Sequence, residues 1–216
     1  MNILAFDTST DIASVALWYN NQLIVETISG ATSHAVCLLP LIERLMQSVA
    51  MSIQNIDAIA VGRGPGSFTG TRVACSIAKG LAWSLDTPIY ALSSLAIITE
   101  SISRHYNDRQ PVLALLDARM QQVYWSFTTD HKSEINEHLD FIDAIHIPMQ
   151  YKFHCAGTGW SVGAINQLLT DPAQLLSQIE TTPDAAIMIK MVLSGRLIPI
   201  SSEALLPVYL REHISQ

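Results

Sequence analysis

The sequence predicts an α/β fold made of two subdomains, each a mixed sheet with flanking helices. Three observations predict it. The runs Asn2 to Phe6, Ile12 to Tyr19 and Gln22 to Ile28 are apolar or alternate with period two, and they open the chain as three antiparallel strands. Helix and strand patterns then alternate from Leu38 to Arg104, as they do in α/β units. After the polar stretch His105 to Pro111, strand patterns at Val112 to Leu116, Gln122 to Thr128 and Glu134 to Ile142 repeat the opening, which suggests a duplicated unit. The expected boundaries are residues 1–105 for the first subdomain, with the tail from about 203 to 216 packed back on it, and 106–202 for a second, shorter and degenerate one.

The first corner, Asp7-Thr8-Ser9-Thr10, is small, polar and rich in hydroxyls. It reads either as a hairpin turn whose side chains bond their own backbone, or as the first phosphate loop of an actin-like ATPase. In the second reading Asp7, Ser9 and Thr10 are weak candidates for nucleotide contact. After Gly30, Thr32 or Ser33 caps a helix carrying Leu38, Leu39, Leu41, Ile42, Leu45, Met46 and Val49 on its apolar side, and Pro40 kinks or restarts it.

The apolar strand Ile56 to Val61 leads into Gly62-Arg63-Gly64-Pro65-Gly66-Ser67-Phe68-Thr69-Gly70, and Thr69 or Thr71 marks the start of the next helix. Backbone N–H groups at such a turn could receive an anion, yet the phosphate fingerprints fail. Gly64 and Gly70 enclose five residues and are followed by Thr71-Arg72, where a P-loop has four residues and then Lys. A tight turn needing positive φ is the plainer reading. The helix itself has two stripes. Val73, Ile77, Leu81 and Leu85 form a large apolar one, and Gly70, Ala74, Ala78 and Ala82 a small one. Both are buried within one domain, or the small face packs against a helix of another subunit; the sequence leaves both open.

Pro88 to Leu92 is a short strand, and Ser93-Ser94 caps a helix from Leu95 to about Arg104. In the second half the corner Asp117-Ala118-Arg119-Met120 lacks the glycine that lets a turn approach phosphate. Phe153 to Trp160 is a strand running into a glycine turn, helices are expected at Val162 to Leu169 and Ala185 to Leu193, and Pro207 to Arg211 is expected to return to the first half.

Composition narrows the function classes. With 216 residues the chain can bury a core without staples. Its charged fraction of 14% lies well below the usual quarter, and mean hydropathy is +0.28, so apolar surface is expected to meet a partner. A net charge of −7 argues against this chain gripping a nucleic acid by itself. Cys37, Cys75 and Cys155 are scattered in apolar contexts and read as buried, reduced thiols. No apolar run approaches the roughly 18 residues of a spanning helix, so no membrane role and a cytoplasmic location are expected.

The seven histidines show no metal-binding spacing, and His34 stands alone at a helix start, so no dedicated metal site is expected. No local nucleophile signature is present, although catalytic triads assemble in space rather than along the chain.

Taken together, the opening DTST, the run SHAVCLLPLIERLM, the stretch GRGPGSFTGTRVACSIAKGLAW, the corner DARMQQVYWS and the tail PVYLR resemble the bacterial TsaB family of tRNA threonylcarbamoyladenosine biosynthesis proteins. The resemblance is firm over residues 1 to about 128 and looser at the tail. It implies the duplicated actin-like, ribonuclease H-like fold. It also implies a shortened relative of TsaD, which transfers threonylcarbamoyl from its adenylate to N6 of adenosine 37 in ANN-decoding tRNAs. In TsaD-like relatives a histidine pair binds metal at the place where this chain reads Leu92-Ser93-Ser94-Leu95-Ala96.

The implied role is a non-catalytic subunit that binds and activates TsaD, with the ATPase TsaE joining, that forms a homodimer when alone, and that meets tRNA only through the complex. The implied interface candidates are Leu38, Ile42, Leu45, Gly70, Ala74, Ile77, Ala78 and Leu81, some of which belong to the core. ATP or ADP is possible at the joint surface of the complex. The alternatives are an autonomous ATPase or sugar kinase, suggested by Asp7 to Thr10 and Gly157-Thr158-Gly159, and a peptidase, which neither a nucleophile motif nor a metal motif supports.

Overall fold

Strands β1 (Ile3–Asp7), β2 (Ile12–Tyr19) and β3 (Gln22–Ser29) form an antiparallel meander. Asn20 and Asn21 turn the second hairpin with φ of 50° and 60°, the left-handed pair that a two-residue turn demands. Helix α1 (His34–Ser48) follows, then β4 (Ala58–Gly62), helix α2 (Phe68–Leu85) and β5 (Ile89–Leu92). The two later strands run parallel to β1, giving the sheet order β3-β2-β1-β4-β5. The computed structural model describes residues 1–30, 34–130, 135–162 and 172–211.

Register divides this sheet into a large-residue face and a small-residue face. Leu4, Phe6, Val15, Leu17, Ile59 and Val61 point to one side, where they pack with residues of α1 and α2 in a single core cluster. On the other side Ala5 lies opposite Ala16 and Ala60, Asp7 opposite Ser14, and Ile3 opposite Ala58. That floor of small side chains admits a helix at close range. Helix α3 (Ser94–Tyr106) leaves β5, and the second sheet is built from β6 (Val112–Asp117), β7 (Gln122–Thr128), β8 (His138–Phe141), β9 (Phe153–Gly157) and β10 (Leu175–Ile179). Its order, β10-β9-β6-β7-β8, repeats that of the first sheet, with β9 and β10 in the parallel places. The duplication is therefore real at the level of topology.

The last helix, α4 (Ala185–Leu193), occupies the small-residue floor of the first sheet, packing on β1, β2, β3 and β4. Asp184 caps it, and Ser14 accepts from the Ala185 amide at 3.0 Å. Met1–Ser94 and Pro183–Val208 consequently form one compact unit, and Leu95–Thr182 and Tyr209–Gln216 the other.

This corrects the expected division at residue 105 in two places. Helix α3 goes with the second unit because Leu95, Ile98 and Ile102 pack on Val112, Ala114 and Leu116. Residues 183–202 go with the first because α4 covers its sheet. The tail is divided: Val208 donates to the Arg63 carbonyl at 2.9 Å, whereas Arg211 bonds within the second unit.

Other expectations shift locally. Ser67, not Thr69 or Thr71, caps α2. Helix α1 runs through Pro40 without a restart; Pro40 and Val36, whose carbonyl the ring displaces from the ladder, are both exposed. The β10 strand was missed from the sequence. The expected caps Thr32 and Ser33, and the helix expected beyond Val162, lie outside the described residues.

Candidate functional site

The DTST corner and the glycine turn close onto each other. Thr8 Oγ1 donates to the Gly70 carbonyl at 2.7 Å, and the Ser67 amide donates to the Ser9 carbonyl at 2.7 Å. A Cβ on Gly70 would stand 1.8 Å from the Thr8 carbonyl oxygen, and one on Gly62 would stand 1.7 Å from Asp7 Oδ2. Gly70 thus allows the close approach of the Thr8 backbone, and Gly62 makes room for the Asp7 carboxylate.

Asp7 and Ser9 are buried. Asp7 Oδ1 accepts from the Ser9 amide at 2.8 Å and from Ser9 Oγ at 2.7 Å, while Ser94 Oγ lies 2.9 Å from Ser9 Oγ and 3.4 Å from Asp7 Oδ2. Ser94 thus meets this corner from 85 residues away in sequence. Thr10 stays in a local turn with Ile12. Asp7 and Ser9 thus bond to each other as a hairpin corner does, while Thr8 and Ser9 also bond to Gly70, Ser67 and Ser94.

The second corner is also held from within. Asp117 accepts from the Arg119 amide at 2.7 Å and from its guanidinium at 3.2 Å. Arg119, Met120 and Gln121 all have positive φ. Arg211 donates to the Ala118 carbonyl and to Gln122 Oε1, each at 2.9 Å. Nothing in the sequence ties Arg211 to this corner, since 89 residues separate it from Gln122.

Burial sorts the interface candidates. Leu38, Ile42, Leu45, Gly70, Ala74 and Ala78 are buried in the first unit, and the small stripe faces its own sheet rather than a partner. The reason is that a row of glycine and alanine is also what lets α2 lie close on β1 and β4. Ile77 and Leu81, from the large stripe, are half-buried and remain available.

Outside them stand Leu39, 51% exposed, Phe68, 61%, and Trp83, 79%. Leu39, Phe68, Thr69, Arg72, Val73, Ser76 and Ile77 line an open groove of about 470 Å³ at α1 and α2. The Arg72 guanidinium lies 3.5 Å over the Phe68 ring, so the groove carries a positive charge along an aromatic edge.

Cys37, Cys75 and Cys155 are free and buried. Burial pushes the Cys75 thiol up to about 11 and the Cys155 thiol to about 12, the opposite of what a nucleophile needs. Ser67 is committed to its cap, accepting from the Gly70 amide at 3.2 Å.

The comparisons with known proteins bear on the whole chain. The model of the family described as TsaD, tRNA N6-adenosine threonylcarbamoyltransferase, matches residues 28–186. The tRNA threonylcarbamoyladenosine biosynthesis protein TsaB of Escherichia coli (strain K12) is 32% identical over 228 residues, covering 100% of this chain and 96% of that protein. The chain belongs to the TsaB family. The TsaB protein of Haemophilus influenzae (strain Rd) is 31% identical across the full chain and 95% of its own length.

Among solved structures, a Pseudomonas aeruginosa protein described as similar to peptidase YEAZ superposes with a TM-score of 0.85 at 31% identity, over 97% of this chain and 99% of that one. TsaB-like sequence therefore extends through residues 130–200, where the motifs alone were silent.

Proposed function

We propose that this TsaB-family chain binds and activates TsaD, with TsaE joining the pair, as a subunit that is non-catalytic in the transfer of a threonylcarbamoyl group to N6 of adenosine 37 of ANN-decoding tRNAs. Family membership supports a role in threonylcarbamoyladenosine biosynthesis. The observation that carries the partner reading is the apolar groove at α1 and α2, ringed by exposed Leu39 and Phe68 and floored by Val73 and Ile77. An apolar groove of this kind fits an amphipathic helix laid into it. The same face serves self-association when TsaD is absent, and the net charge of −7 fits a chain that reaches tRNA only through its partner. The setting of this work is the cytoplasm.

The test is light scattering after size exclusion, with the parent chain and the variant Leu39→Glu/Phe68→Glu, alone and mixed with purified TsaD. Both substitutions replace exposed side chains, so the circular dichroism spectrum should not change. Loss of the mixed complex in the variant supports the assignment. A complex that survives both charges removes this groove from the interface.

A further inference from the structure

Three residues far apart in sequence meet in the second unit. His154 on β9 is buried, with Nδ1 2.7 Å from Ser177 Oγ and Nε2 3.1 Å from Asp108 Oδ2. Asp108 follows α3, and Ser177 lies on β10. A carboxylate only accepts, so Nε2 carries the hydrogen and Nδ1 presents its lone pair to the Ser177 hydroxyl. The Tyr106 ring stacks on the imidazole at 4.1 Å and 7°, fixing its plane. Hydroxyl, imidazole and carboxylate therefore stand in the order that activates a serine, with the two ring nitrogens exchanged relative to the usual serine hydrolase.

The local backbone is irregular at this serine. Leu175 pairs with Phe153, but Ser177, not Leu176, pairs with His154, so the register slips by one residue at Leu176. Without that bulge, alternation would place Ser177 on the same face as Leu175, toward the cluster of Phe153 and Cys155. The bulge turns it to the opposite face, beside His154. β10 is also the edge strand of its sheet among the described residues.

We propose that Ser177, His154 and Asp108 form a second site, a serine nucleophile that takes small activated acyl groups, esters or thioesters. The half-buried hydroxyl suits a slim acyl chain rather than a folded polypeptide. Ser177 Oγ bonds to the acyl carbon as its proton passes to His154 Nδ1. The alcohol or thiol then leaves with that proton, and water, deprotonated by the same nitrogen, releases the acid and restores the serine. Asp108 is a positioning residue that holds the tautomer.

The test uses the full chain without partners and a fluorophosphonate probe, which bonds to an activated serine as fluoride leaves. Peptide mass mapping is expected to place the adduct on Ser177. The adduct should be absent in Ser177→Ala and form about 100-fold more slowly in His154→Gln. Asp108→Asn, at an unchanged thermal midpoint, should displace the pH dependence of labelling. Adduct on other serines only, or none on the folded parent chain, overturns the proposal and leaves the cluster a clasp between α3 and the sheet. Mapping on the parent decides this even if every variant misfolds, and it does not depend on binding to TsaD.

Discussion

Gly70 has no side chain because the Thr8 carbonyl occupies the space one would need. Around it, Thr8, Ser9, Ser67 and Ser94 join the first corner to two segments that each lie more than 50 residues away in sequence. Gly70→Ala must push the first corner and the α2 start apart, a local overpacking that costs about 1–3 kcal/mol. Urea denaturation is expected to show that loss as a lower midpoint with an unchanged slope, since the mutation alters contacts rather than the surface exposed on unfolding. A neutral Gly70→Ala would mean that the two backbones are not held together as tightly as these distances imply. At this scale the sequence marked the right residues for an incomplete reason: a glycine-rich turn reads alike whether the space beside it holds a phosphate or another strand's carbonyl.

Among the elements, α2 shows how a pattern is legible while its use is not. The two stripes were visible as spacing, and both exist on the helix. Small residues at i, i+4 allow close approach to any neighbour, whether a partner helix or the chain's own sheet. Here Ala74, Ala78 and Ala82 lie on the sheet, so the small stripe is core. Ala78→Arg therefore buries an unpaired charge and is expected to unfold the first unit, losing more than about 4 kcal/mol in thermal or urea denaturation. A soluble, folded Ala78→Arg chain that merely loses TsaD would restore the small stripe to the interface. Strand β10 was illegible for a different reason: its alternation, LLSQI, is short, and the bulge at Leu176 breaks the period that identifies a strand.

For the whole molecule, the order of the chain and the order of the fold part company at residue 183. Helix α4 comes after the entire second unit yet packs on the first sheet, over Ala5, Ala16, Ala58 and Ala60. Ile187, Met188, Ile189 and Val192 are buried there, and at about 1.5–3 kcal/mol each their burial is comparable to the whole stability of a domain. Truncation after Thr182 is thus expected to abolish the cooperative unfolding of the first unit, followed by circular dichroism. A truncated chain that still melts cooperatively at the parent temperature would mean that α4 is dispensable there.

By itself the sequence determined the α/β class, the meander, the alternation of helix and strand, the repeat of that order in the second half and, through its motifs, the family. Those properties follow from periods of two and 3.6 and from turn chemistry, which act over a few residues. Only the tertiary structure decided which stripe of α2 is core, where the units divide, that the DTST corner is closed and that Ser177 meets His154. Each of these depends on which distant backbone fills the space beside a residue, and no local period carries that information.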